Sequence, residues 1–417
     1  MTTATTTLAS PLTLRNGQVL PTRFMKSALS EALGDRDCGP TDRLERLYSR
    51  WAAGNYGLVV TGNVMIDRRH RGEPGNVVIE DERHLDGLRR WAATFEHTAT
   101  PLWMQINHPG RQANALVGGH QPVAPSAIKA RVPGASKPRE LTDAEIHELI
   151  KRYATTAAVA EKAGFDGVQL HGAHGYLITQ FLSPLSNQRD DAWGGDPERR
   201  RRFVVEVLRA TRASVSPGFA IGIKLNSADF QRGGFTEEES RDVVSALTAE
   251  GIDLIEVSGG SYEAPAMMGS MTESTQAREA YFLEYAAALR DLAPGVPIAV
   301  TGGFRTSSAM ESAVATGECD IIGLGRPTCV LPDAPRQIID EGLGSLPNST
   351  VKAGLRPLLG RAVDLKIIDG VIDLSWHTDQ LHRLGKGLEP DLNRTWRRTA
   401  LSAGLRNGPG AFRAKRG

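Results

Sequence analysis

Eight short apolar runs, each followed by helix-forming sequence, most constrain what this chain can fold into. They read RFMKSAL, YGLVVTG, PLWMQIN, DGVQLH, AIGIKLN, DLIEVSG, PIAVTGG and DIIGLGR, in that order between residues 23 and 326. Runs this short and this rich in Val, Ile and Leu suit strands buried on both faces, and helical segments between them favour parallel pairing. The intervening helices carry start signals. Thr142 with Glu145 and Thr236 with Glu239 form capping boxes, and Asp196-Pro197 reads as an N-cap followed by the first helical residue. Strand and helix alternating eight times predict an α/β protein whose sheet closes as a TIM (β/α)8 barrel. Asn16-Gly17 between two apolar-alternating runs predicts an N-terminal β-hairpin. Past residue 330 the pattern dissolves into helical and irregular pieces. The expected organisation is a barrel over residues 1–345 and a C-terminal helical extension over 346–417, packed on the barrel or on a neighbouring subunit.

Charge and cysteine usage narrow the function. Lys plus Arg number 49 and Asp plus Glu 48, which leaves no global field to draw in nucleic acid or an acidic membrane. Cys38, Cys319 and Cys329 are too few and too scattered for a disulfide framework or a compact zinc cluster. The start, MTTATTTLAS, lacks the basic and apolar regions of a signal peptide, and no apolar run approaches membrane length, so a cytoplasmic enzyme is expected. The last 24 residues hold seven Lys or Arg and no acid. They are read as a frayed or subunit-docking tail, compatible with a homo-oligomer. Residues 110 to 141 make a Pro- and Gly-rich connection far longer than the usual βα loop of about 2–6 residues, and are expected to form a lid or rim.

In such a barrel the chemistry sits on the loops at the C-terminal ends of the strands. Those ends carry Ser27, Ala28 and Ser30 on the first strand, Thr61 and Gly62 on the second, and Gln105, His108 and Arg111 on the third. His171, His174 and Tyr176 follow the fourth strand, Lys224 and Asn226 close the fifth, Gly302 and Gly303 the seventh, Gly325 and Arg326 the eighth. Glycines after strands seven and eight let backbone amides approach an anion, and Arg326 adds a forked donor, which favours a phosphate site there. Three polar rings within six residues at His171, His174 and Tyr176 are poor core material and point to a reaction site. Two nearby histidines also suit zinc, and a zinc-dependent hydrolase would draw a third ligand from Asp166, His108 or Asp229. That reading leaves the glycine loops without a purpose. Tyr262 in the loop after strand six is a candidate for the substrate entrance, with a plain structural turn as its alternative.

The motifs QINHPGR, PVAPSAI with PRELT, HGAHGYLITQFLSPLSNQRDDAWGGDPERRRRF, IKLNSADF, TGGF and GLGRP, in this order over residues 10 to about 330, resemble the Old Yellow Enzyme family of FMN-dependent NADH:flavin oxidoreductases and ene-reductases. The resemblance implies FMN across the barrel mouth, with NADPH or NADH as hydride donor. It implies FMN contacts from Ser27, Ala28, Ser30, Gly62, Gln105, His171, Lys224, Gly302, Gly303, Gly325 and Arg326. His171 and His174 then hold the carbonyl oxygen of a small-molecule α,β-unsaturated carbonyl substrate, FMN N5 delivers hydride to Cβ, and Tyr176 protonates Cα. Another implied activity on the same site is NAD(P)H oxidase or a different flavin-dependent barrel reaction. Lys224 stands where the family often has Arg, Ser30 where Thr or Cys is familiar, and Ala28 where Pro is common. The Ser30 hydroxyl is expected to bond a flavin carbonyl oxygen.

Overall fold

A computed structural model describes residues 6–131, 134–258, 282–352 and 365–407. The eight apolar runs are strands: β1 Phe24–Lys26, β2 Leu58–Val60, β3 Leu102–Asn107, β4 Gly167–Gly172, β5 Ala220–Asn226, β6 Leu254–Ser258, β7 Ile298–Thr301 and β8 Ile321–Leu324. Each pairs in parallel with its neighbours, and β8 returns to β1, so the sheet closes into the expected barrel. Outside it run α1 Asp42–Ala52, α2 Leu85–Ala93, α3 Asp143–Ala163, α4 Pro197–Ser214, α5 Glu237–Ala249, α6 at 282–288, α7 Ser307–Ala315 and α8 Ala334–Glu341. Both capping boxes form as expected, and Asp196 caps α4 by accepting from the Arg199 amide at 2.9 Å.

Strand periodicity divides two cores. On β5, Ile221, Ile223 and Leu225 join the apolar layer under the helices, while Ala220, Gly222, Lys224 and Asn226 take the alternate, inward face. The bottom of the interior is apolar: Met25, Leu58, Val60, Trp103, Ala220, Leu254, Ala299 and Ile321 pack with Leu14 and Leu20 of the hairpin. The hairpin pairs Leu12–Thr13 with Val19–Leu20 and turns through Gly17 at φ +88. It plugs the barrel, and its Gln18 accepts the Trp103 indole N–H at 2.8 Å. Trp103 needs two glycines beside it. A Cβ on Gly222 would lie 2.7 Å from the indole ring, and one on Gly167 2.7 Å from the indole nitrogen. This floor lifts the polar residues of each strand toward the opposite, C-terminal mouth.

The long connection after β3 contains the single turn Ala115–Gly118 and a short parallel pair, Val123–Ala124 with Arg139–Glu140. The polar run after the HGAHGY loop ties it down: the Gln188 amide donates to Ser126 at 2.9 Å, and Arg189 donates to the carbonyls of Pro125 at 2.9 Å and Leu141 at 2.7 Å. Beyond the barrel lie α9 Leu365–Leu384 and α10 Trp396–Asn407. Asp379 on α9 receives Arg394 at 2.6 Å, Arg406 and Ser402, so the first part of the basic tail is stapled to α9. His382 on α9 reaches the Glu31 carbonyl at 2.9 Å, and the Arg46 guanidinium on α1 donates to Gly385 at 3.0 Å. Among the described residues no helix is long and apolar enough to cross a membrane.

Candidate active site

Above the apolar floor a continuous hydrogen-bonded layer spans five strands and the end of a sixth. Gln105 on β3 donates to Gln169 on β4 at 2.8 Å, and Gln169 donates to Glu256 on β6 at 2.7 Å. The Glu256 carboxylate also receives Lys224 of β5 at 3.0 Å and Thr301 of β7 at 2.6 Å, while Ser27, just past β1, bonds the Thr301 hydroxyl at 2.7 Å. Glu256 is completely buried, so the lysine and two neutral donors carry its charge in place of water. Gly323 makes room for this layer, since a Cβ there would meet Thr301 Oγ1 at 1.9 Å. Sequence reading found Ser27, Gln105 and Lys224 but missed Gln169, Glu256 and Thr301. The signal was present: Gln169 and Glu256 stand two residues before His171 and Ser258, on the same inward face.

The HGAHGY loop sits one layer higher. His171 is the second-last residue of β4, and its Nδ1 accepts the Ala173 amide at 3.3 Å, which fixes the neutral tautomer with the proton on Nε2. Burial, then His174 and Lys224, push its pKa well below the ordinary histidine range, so it stays neutral. The Tyr176 ring stands edge-on to His171 with centroids 4.7 Å apart, and the His174 ring is 5.1 Å away. His174 Nε2 meets the Ser258 hydroxyl at 2.9 Å, and its amide donates to Asn226 at 3.2 Å. Gly172 is extended within β4, where a Cβ would press on Lys224 O at 3.0 Å. The left-handed residues are His174 at φ +61 and Gly175 at φ +72. A histidine in that region is uncommon and is held by its neighbours. Gln180 locks the loop, donating to Gly175 O at 2.7 Å and Pro109 O at 3.1 Å while accepting the Arg111 amide at 3.0 Å.

At the other side of the mouth Gly302 and Gly303 have φ +121 and +90, and the space where a Gly302 side chain would stand is open. Gly325 is nearly as open, with one contact at 3.8 Å. Arg326 follows it and donates to Asp373 of α9 at 3.0 Å. Ala28 borders the floor, the Ser30 hydroxyl donates to Glu73, and the Gly62 amide donates to Glu31 at 2.9 Å. Glu31 also receives the Tyr48 hydroxyl beside Lys26. Lys26 is wholly buried over the Trp51 ring, and burial draws its pKa down to about 8. Tyr262 lies outside the described residues.

Among the described residues no third ligand joins His171 and His174 in a metal site. Asp166 accepts the Leu102 amide at 2.8 Å, and Asp229 binds Ser183 and the Phe235 amide. Among the described residues one trio lies within metal-ligand reach, Asp67, His70 and His108. Its carboxylate is already engaged by the Arg69 guanidinium at 2.8 Å and by His70 at 3.1 Å. Burial opposes the Asp67 charge, yet hydrogen bonds from His70 and Arg69 hold its carboxyl well below the usual range. A guanidinium on that carboxylate disfavours a metal ion in the same place.

Over residues 7–343 the chain matches, and it belongs to, the NADH:flavin oxidoreductase / NADH oxidase family. The cofactor of that family is FMN and its hydride donor is NAD(P)H. The chain is 35% identical over 409 residues to "NADH-dependent flavin oxidoreductase iccE" of Talaromyces variabilis, a match covering 91% of this chain and 98% of the relative. It is 37% identical over 359 residues to "NADH-dependent flavin oxidoreductase iliE" of Neonectria sp. (strain DH2). That match covers 79% of this chain and 46% of the relative, so the chain spans about half that relative's length. The fold is that of an old yellow enzyme homologue from Zymomonas mobilis, with TM-score 0.69 and 23% identity over 83% of this chain and 95% of the other.

Proposed function

We propose that the protein reduces the activated C=C bond of an α,β-unsaturated carbonyl compound at the expense of NAD(P)H. The observation that carries this reading is the pairing of a buried Nε2–H donor, His171, with a phenol ring 4.7 Å away at the barrel mouth.

FMN fits the residues present. Positive-φ glycines at 302 and 303, the first with open space beside it, suit its phosphate together with Arg326, and the layer from Gln105 to Lys224 offers donors and acceptors for a flavin pyrimidine edge. When bound, FMN supplies the hydride that NAD(P)H has delivered to it. The protein then has to polarise the acceptor. His171 donates from Nε2 to the substrate carbonyl oxygen, where charge develops as Cβ is reduced, and His174 is placed beside it as the second donor to that oxygen. Because the site is buried, these donors act with little competition from water. Tyr176 completes the reduction by giving its phenolic proton to Cα, a task suited to an acid that holds its proton at neutral pH. Ser258 and Asn226 hold His174 in its left-handed conformation. Lys224 balances negative charge at the pyrimidine edge, moderated by Glu256.

The test is steady-state turnover of a cyclic enone with NADH and with NADPH under nitrogen. Saturated ketone formed in step with cofactor oxidation, with parallel initial-rate lines from a shared site, is the expected result. Cofactor oxidation that requires oxygen and yields no saturated ketone would replace it with the oxidase reading.

A further inference from the structure

The helix α9 lies beyond the stretch that matches the family, yet it meets the barrel at the glycine-arginine loops. Its Asp373 takes Arg326 Nη1 at 3.0 Å with one carboxylate oxygen and the Val351 amide at 3.0 Å with the other. One turn on, His377 is 6% exposed and donates from Nδ1 to the Asp373 carbonyl at 2.8 Å. That bond turns Nε2 away from its own helix. Nε2 carries no protein hydrogen bond among the described residues. A cleft open to solvent lies there between Arg305, Arg326, Asn348, Ser349 and His377.

We propose that α9 forms the outer wall of the cofactor's phosphate subsite, with His377 Nε2 donating to the phosphate monoester that Arg326 also binds. This rests on the FMN reading above. Three cationic or potentially cationic side chains and two small polar ones converge on a cleft beside Gly325, a donor set that suits a dianion and little else. Asp373 holds one arm of the Arg326 fork, and the guanidinium's other donors carry no protein partner among the described residues. The charged groups facing His377 are Asp373 on its own helix, Arg326 after β8 and Arg305 after β7. Among the protein groups alone, burial outweighs Asp373 and, aided by the two arginines, lowers the His377 pKa. A dianion adds the charge that favours the imidazolium, so phosphate binding takes up a proton and converts Nε2 into a donor.

The experiment titrates deflavinated full-length protein with FMN and with riboflavin, which lacks only the phosphate, following quenching of flavin fluorescence. His377→Ala is expected to weaken FMN binding about tenfold, the loss of one charge-assisted hydrogen bond, and to leave riboflavin binding unchanged. Unchanged riboflavin binding also shows that the variant is folded. Wild-type affinity for FMN should decline from neutral to alkaline pH as the imidazolium is lost, and the variant's should not. Equal weakening of both flavins, or no change in either, overturns the proposal and leaves the FMN reading standing. An effect confined to KM for NADPH assigns the cleft to another phosphate and likewise overturns it. A wild-type protein that binds neither flavin overturns both readings.

Discussion

In the proposed reaction Tyr176 and His171 act on the same substrate at different stages, and substitution separates them. Tyr176→Phe should leave reduction of the flavin band by NADH unchanged, because no proton donor to Cα is needed there. Enone turnover should fall by about 10²-fold or more, as stopped-flow traces of the two half-reactions will show. Glu256→Gln removes the negative charge 3.0 Å from Lys224. The lysine then stabilises an anionic reduced flavin more strongly, so the bound flavin's reduction potential should rise in a redox titration; an unchanged potential would detach Lys224 from the flavin. At this scale the sequence showed the strand-end residues and hid their supports. His171 and Lys224 stand out because they interrupt an apolar run at its end. Gln169 and Glu256 lie inside such runs, where only the period of two marks them as inward. The Arg326 partner was out of reach for another reason: Asp373 is 47 residues away, in a segment with no strand-helix rhythm.

The elements were legible where local chemistry decides them. Capping boxes at Thr142 and Thr236 and the Asn16-Gly17 hairpin are satisfied by residues within a few positions of each other. The HGAHGY turn follows less directly from local sequence, since one of its left-handed residues is His174, held there by tertiary contacts from Asn226 and Ser258. The polar run after it, SNQRDD, anchors the β3 connection through contacts that local sequence does not announce. Packing at the barrel floor gives a direct test. Gly222→Ala forces a methyl to 2.7 Å from the Trp103 ring and should cost about 1–3 kcal/mol in urea unfolding. Gly218→Ala, with nothing within 4 Å, serves as its control and should change stability by no more than about 0.5 kcal/mol.

Across the whole molecule, neutral buried histidines set the acid limit. His108 and His382 are pushed down to about 3, chiefly by burial, with His70 acting on the first and Arg406 and Arg43 on the second. His171 is lowered as well. In the unfolded chain each takes up a proton near its ordinary pKa of about 6.5, while the folded chain stays neutral. The unfolded state therefore binds more protons as pH falls. The stability these groups contribute is complete above about 6.5 and is lost progressively toward about 3. Melting temperatures measured from neutral to acid pH should decline through that window, and a flat profile would contradict the buried, neutral assignment. The barrel itself followed from eight apolar runs because closure needs only their count, period and connections. Its reaction rests on how the mouth treats an acceptor, and one measurement reaches that most directly. Purified protein under nitrogen should show a flavin band that NADH or NADPH bleaches and that a cyclic enone then restores, mole for mole. A band that bleaches and returns only when oxygen is admitted, whichever activated alkene is supplied, would contradict the account.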